Sequence, residues 1–109
     1  MDKIKRAQTE ALFRDVNERI AESAERFDAD VAEFVCECAD PNCTRRVHTT
    51  LEHYDEVRGE PTHFLLVPGH EDPEIERVVE RKPRVAVVEK FEKIVARTVR
   101  RLDPRTNAA

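Results

Sequence analysis

The chain has 109 residues, enough for one small core, with 23 Asp and Glu against 19 Lys and Arg and a formal net charge of −4. Charged and hydrophobic residues each make up 39%, Trp is absent and Gly occurs twice, which excludes collagen-like, low-complexity and membrane classes. No window approaches the roughly 18 apolar residues of a spanning helix, and Met1 to Arg6 open a polar helix instead of a signal-peptide core, so a cytoplasmic protein with no membrane segment is expected.

Residues 2–27 contain neither Pro nor Gly and begin with a candidate N-cap, Asp2, so they predict a long helix. Phe13, Val16, Ile20, Ala24 and Phe27 share one face of it, with Arg14, Glu18, Glu22 and Glu25 opposite. That stripe packs on the domain itself or forms a short homodimer seam; Ser23 and the lack of sustained heptads weigh against the seam. Phe34 to Cys36 reads as a short strand, Asp40-Pro41-Asn42 as a turn, and Val47 to Thr49 as the returning strand. Thr49 with Glu52 matches a capping box for a short helix carrying Leu51, Tyr54 and Val57, which Gly59 and Pro61 end. His63 to Val67 is a further strand, closed by Pro68-Gly69. Asp72-Pro73 opens one helical turn, followed by a hairpin that reverses near Lys82-Pro83 and returns through Val85 to Val88. Phe91, Ile94, Val95, Thr98, Val99 and Leu102 line an amphipathic helix over 91–102, and residues 103–109 form a tail, frayed from 105.

The expected fold is therefore one α+β domain over residues 1–109: a long N-terminal helix, a small antiparallel sheet and cysteine core over 31–90, a short middle helix and a C-terminal amphipathic helix.

All three cysteines fall in the segment Cys36-Glu37-Cys38-Ala39-Asp40-Pro41-Asn42-Cys43. Three thiols cannot all pair within one chain, and a cytosolic chain keeps its thiols reduced, so the count points to metal or redox chemistry. In a regular strand Cys36 and Cys38 would lie about 6.6 Å apart on one face, too far for a shared ion with metal to sulfur distances of about 2.3 Å, so the strand must break near Glu37. A tetrahedral Zn(II) site needs a fourth ligand. His70, after the permissive Gly69, is the first candidate and His48 the second; His53 and His63 read as surface histidines. Three Cys and one His close the coordination shell, which suits a structural role and disfavours hydrolysis. The competing readings are incidental thiols, a redox disulfide involving Cys43, and a Cys-His nucleophile. An iron-sulfur cluster would ordinarily take four cysteines.

The string from Phe34 to Asp40 with Cys43, then Leu51, Tyr54, Val57-Arg58, Pro61, Phe64, Pro68-Gly69-His70 and Val87-Val88-Glu89-Lys90, resembles small bacterial proteins that carry the same F-x-C-x-C-x4-C, P-G-H and V-V-E-K pattern. The resemblance spans residues 34–90 and implies Cys36, Cys38, Cys43 and His70 as the ligand set, without implying an activity. His53 stands where those proteins have an acidic residue, a departure that argues against it as a ligand.

Charge is uneven along the chain, with 9 basic and 15 acidic side chains over residues 1–70 and 10 and 8 over residues 71–109. Lys90, Lys93, Arg97, Arg100 and Arg101 map to one arc of the last helix and form a candidate face for an anionic partner. A solvated helix end favoured by the macrodipole explains the same residues, and acidity with no interleaved aromatics weakens a nucleic-acid role. No nucleotide loop, nucleophile elbow or H-E-x-x-H is present, so no enzyme is expected. These readings converge on a non-catalytic, zinc-binding interaction or regulatory module whose partner is a protein. A nucleic-acid-binding regulator using the last helix and a zinc-thiolate redox sensor are the alternatives.

Overall fold

The computed structural model describes residues 2–107. The chain runs α1 (Lys3–Arg26), β1 (Val31–Val35), β2 (Arg46–Thr50), α2 (Leu51–Arg58), β3 (His63–Leu66), β4 (Glu76–Arg81), β5 (Ala86–Lys90), α3 (Lys93–Arg101) and α4 (Pro104–Asn107). This is the expected α+β arrangement, with two small antiparallel sheets in place of one. β1 pairs with β2, and β3, β5 and β4 form the second sheet in that order. The hairpin after Asp72 forms as expected, following a single turn in which the Ile75 and Glu76 amides donate to the Asp72 carbonyl.

The core lies between the helices and the two sheets. Phe34 stacks on Tyr54 with ring centroids 4.5 Å apart, and Phe64, Leu65, Leu66, Ile75, Val88, Val95 and Val99 complete it. Cys36 and Cys38 belong to the same buried cluster, so the cysteine loop is an extension of the core.

Several boundaries shift by a residue. Asp2 caps α1 as expected, accepting from the Lys5 amide at 2.8 Å. The cap of α2 is Thr50, not Thr49: Thr50 accepts from the His53 amide, while the Thr49 hydroxyl meets His53 Nδ1 at 2.7 Å. α3 is shorter than 91–102, with Glu92 accepting from the Val95 amide as its cap, and Phe91, Ile94 and Leu102 stay about half exposed.

The buried face of α1 is not the predicted one. Ala7, Glu10, Ala11, Arg14 and Asn17 face inward, whereas Val16 is exposed and Phe27 is 82% exposed. Small alanines let the helix approach, and the polar residues between them are buried because each finds a partner. Arg14 donates to the carbonyls of Pro61 and Val99 at 2.7 Å each and lies 4.5 Å over the Phe64 ring. Lys90, assigned to the helical basic face, ends β5 and points inward instead, pairing with the carboxylates of Glu10 and Glu76. The tail is also better ordered than expected. Asp103 is buried and accepts from Arg58, and Arg105 forks onto Glu18 at 2.6 and 3.1 Å. Residues 108 and 109 of the expected tail lie outside the described residues.

Candidate metal centre

A helix side chain bonds the backbone of Val35, the last residue of β1. Asn17 accepts from the Val35 amide at 2.8 Å and donates to the Val35 carbonyl at 2.9 Å, copying the bonds of a neighbouring strand. The chain then turns, as the spacing of Cys36 and Cys38 requires. The Cys36 amide donates to the Arg45 carbonyl and the Glu37 amide to the Leu65 carbonyl, so the loop leaves the first sheet and docks on β3 of the second.

Glu37 carries that docking. Its side chain is fully buried, and its two carboxylate oxygens accept from the Leu65 amide and from Asn17 Nδ2, each at 2.8 Å. Burial raises its pKa, opposed by these two bonds and by the charge of Arg14 and Arg58. Beyond it the Asn42 amide donates to the Asp40 carboxylate at 2.9 Å and the Cys43 amide to the Asp40 carbonyl at 3.1 Å, an Asx turn that returns Cys43 toward Cys36.

His70 arrives from the other sheet. After Val67 and Pro68, Gly69 adopts φ +93°, a conformation that L side chains rarely take, and the His70 amide donates to the Val67 carbonyl. A Cβ at Gly69 would meet no atom within 4 Å, so conformation and not crowding requires glycine there. The turn places His70 Nδ1 at 3.6 Å from Cys36 Sγ and 3.7 Å from Cys43 Sγ.

One ligand atom from each of Cys36, Cys38, Cys43 and His70 lies within 4.8 Å of all the others. Metal to sulfur distances of about 2.3 Å and metal to nitrogen distances of about 2.0 Å in a tetrahedron set the sulfur to nitrogen edge at about 3.5 Å. The His70 separations match that edge, so the four groups could hold a metal ion. Cys36 and Cys38 are buried and Cys43 is half-buried.

No family model matches the chain, and no curated protein or solved structure matches it either. The reading of the site therefore rests on its chemistry.

The surroundings of the three thiols shift their pKa values in different directions. A hydrogen bond from Cys36 lowers the Cys38 pKa to about 5, with His70 and the Asp40 amide adding to the effect against burial. Donation to Cys38 and burial push Cys36 far up, and burial raises Cys43. The Val67 amide donates to Cys36 Sγ at 3.2 Å, a hydrogen bond that would steady and orient a thiolate there.

The other histidines are elsewhere. His48 is 74% exposed on the outer face of β2, 3.7 Å from Glu33, and is not part of the cluster. His53 and His63 are not plain surface groups: each is largely buried and meets a carboxylate, Glu80 at 2.5 Å and Glu89 at 3.2 Å. Of the predicted anionic-partner face, Lys93, Arg97, Arg100 and Arg101 are exposed on α3, and Lys90 is removed from it by burial. Asn17 and Glu37 had no place among the predicted site residues. Glu37 was conspicuous only as a charged residue between two cysteines; Asn17 gave no signal, because its partners lie 18 and 20 positions away.

Proposed function

We propose that this protein is a zinc-stabilised interaction or regulatory module without catalytic activity, with Zn(II) held by Cys36, Cys38, Cys43 and His70. The convergence of these four ligand atoms is the observation that carries the reading. Three thiolates and an imidazole suit zinc, and they fill a tetrahedral shell with no position left for substrate or activated water. The metal would cross-link the loop after β1 to the turn after β3, adding binding free energy to the folding of a small core. Reduced thiols fit a cytoplasmic setting. The exposed Lys93, Arg97, Arg100 and Arg101 offer an acidic protein partner a cationic helix face.

Elemental analysis of protein purified under reducing conditions without chelators tests the assignment. The expected result is one zinc per chain, lost in Cys38→Ser and His70→Ala and kept in His48→Ala. Metal-free protein, or zinc retained in both ligand variants, overturns it.

The partial exposure of Cys43 favours a second reading of the same site, a thiolate redox sensor. Hydrogen peroxide would oxidise Cys43 and one neighbouring thiolate to a disulfide, is itself reduced to water, and the metal is released. Zinc release at low peroxide that a dithiol reductant reverses supports this reading; release only on unfolding excludes it.

A further inference from the structure

Beside the cysteine loop lies a cleft of about 340 Å³ whose charge runs against that of the chain. Arg45, Arg46 and Arg84 line it together with His48, over an apolar floor of Val67 and Pro68. The three arginines come from two segments of the chain. Arg45 precedes β2, Arg46 and His48 share the outward face of β2 at a spacing of two residues, and Arg84 sits in the turn closed by the bond from the Lys82 amide to the Val85 carbonyl.

All three side chains are exposed, and among the described residues none has an ion-pair partner. Their neighbours differ: Arg81 pairs with Glu71 at 3.4 Å and Lys82 with Glu80 at 4.0 Å. Among the described residues no carboxylate lines the cleft, and Glu33 lies 3.7 Å from His48 at its edge. Three like charges around one concavity repel one another and focus a positive potential that an anion relieves. Guanidinium forks match phosphate oxygens in pairs, which a lysine cluster would not do.

We infer that this cleft binds the diphosphate group of a small molecule through Arg45, Arg46 and Arg84. The size falls at the lower end of small-ligand sites, and the apolar floor gives an organic portion a surface to pack on. Among the described residues no aromatic side chain lines the cleft, so they supply no base-stacking platform of the kind expected for single-stranded nucleic acid. The inference goes beyond the zinc assignment and does not rest on it.

Calorimetric titration of the full chain at low ionic strength with pyrophosphate, with ADP and with a single-stranded oligonucleotide tests it. Saturable one-site binding of pyrophosphate and ADP is expected, weakened roughly tenfold or more in Arg46→Gln and in Arg84→Gln and unchanged in Arg26→Gln, an exposed arginine at the end of α1. Tighter binding of ADP than of pyrophosphate would assign the organic portion to the Val67 and Pro68 floor, and equal binding would assign the free diphosphate; both support the site. The absence of saturable binding, an equal loss in Arg26→Gln, or binding of the oligonucleotide alone overturns it. Circular dichroism and metal content are read on the same samples. Folded, zinc-loaded protein that fails to bind refutes only the cleft, and folded, metal-free protein that binds refutes only the zinc assignment.

Discussion

Asn17 donates its side-chain amide to Glu37 at 2.8 Å, which ties the long helix to the residue between two of the clustered cysteines. The same Asn17 holds both backbone groups of Val35, so one helix side chain fixes the last residue of β1 and the loop that follows. Loss of this side chain therefore acts on stability and on the metal centre together.

Asn17→Ala is expected to destabilise the fold by roughly 2–4 kcal/mol, because it leaves a backbone amide and a buried carboxylate oxygen without partners. Metal affinity should fall about 10- to 100-fold, the usual effect of removing a group that orients ligands. Glu37→Gln should act in the same direction, since two donors converge on Glu37 and glutamine offers a single acceptor oxygen. Chemical denaturation and chelator competition check both. Unchanged metal affinity in both variants would show that the loop needs no such support.

The asymmetry between what could and could not be read in advance follows from distance along the chain. The cysteine loop is local: the required break after Cys36, the turn at Asp40 to Asn42 and the glycine before His70 each follow from short-range geometry. The inward face of α1 is not local. Arg14 is buried for two carbonyls 47 and 85 positions away, and a hydrophobic pattern cannot announce such partners. Lys90 was closer to legible, because alternation along β5 puts it on the same face as Ala86 and Val88.

Asp28 follows the C-cap of α1 at φ 55°, with the Ala29 amide bonded to the Ala24 carbonyl and the Asp28 amide to the Glu25 carbonyl. This is a Schellman ending with aspartate where glycine is favoured. Asp28→Gly should relieve the left-handed strain and raise stability by about 0.5–1 kcal/mol, a rise of several degrees in Tm for a chain of this size. Asp28→Ala should lower Tm. The pair is read by thermal denaturation, and equal shifts for both would argue against backbone strain as the cause.

The C-terminal segment offers two charge pairs of different depth. Asp103 is buried and accepts from Arg58, whose side chain is also buried, whereas Arg105 is 40% exposed where it meets Glu18. Removing Asp103 leaves the buried Arg58 to its longer contact with Glu18 at 3.3 Å, whereas removing the exposed Arg105 leaves no buried charge behind. Asp103→Ala is expected to cost about 2–4 kcal/mol and Arg105→Ala about 0.5–1 kcal/mol, measured by urea denaturation. A reversed order would mean that Glu18, not Asp103, is the principal partner of Arg58.

The Lys90 ammonium sits buried between the carboxylates of Glu10 and Glu76 and 4.6 Å from the centre of the Phe64 ring. One cation faces two carboxylates in a fully buried site. Burial is the main cause of a Glu10 pKa of about 8; the Glu76 charge adds to it and the Lys90 charge opposes it. Glu10 Oε1 has no hydrogen-bond partner among the described residues, as fits a group that resists ionisation. A carboxyl whose folded pKa exceeds its unfolded value binds more protons in the folded state between about pH 4.5 and 8. Stability contributed by Glu10 is thus fully present below the unfolded pKa, is lost as pH rises toward 8, and changes no further above it. Wild-type protein should lose stability relative to Glu10→Gln across that interval, on the order of a few kcal/mol. Denaturation midpoints of the two proteins from pH 5 to 9 decide the matter, and parallel curves would place the shared proton elsewhere in the cluster.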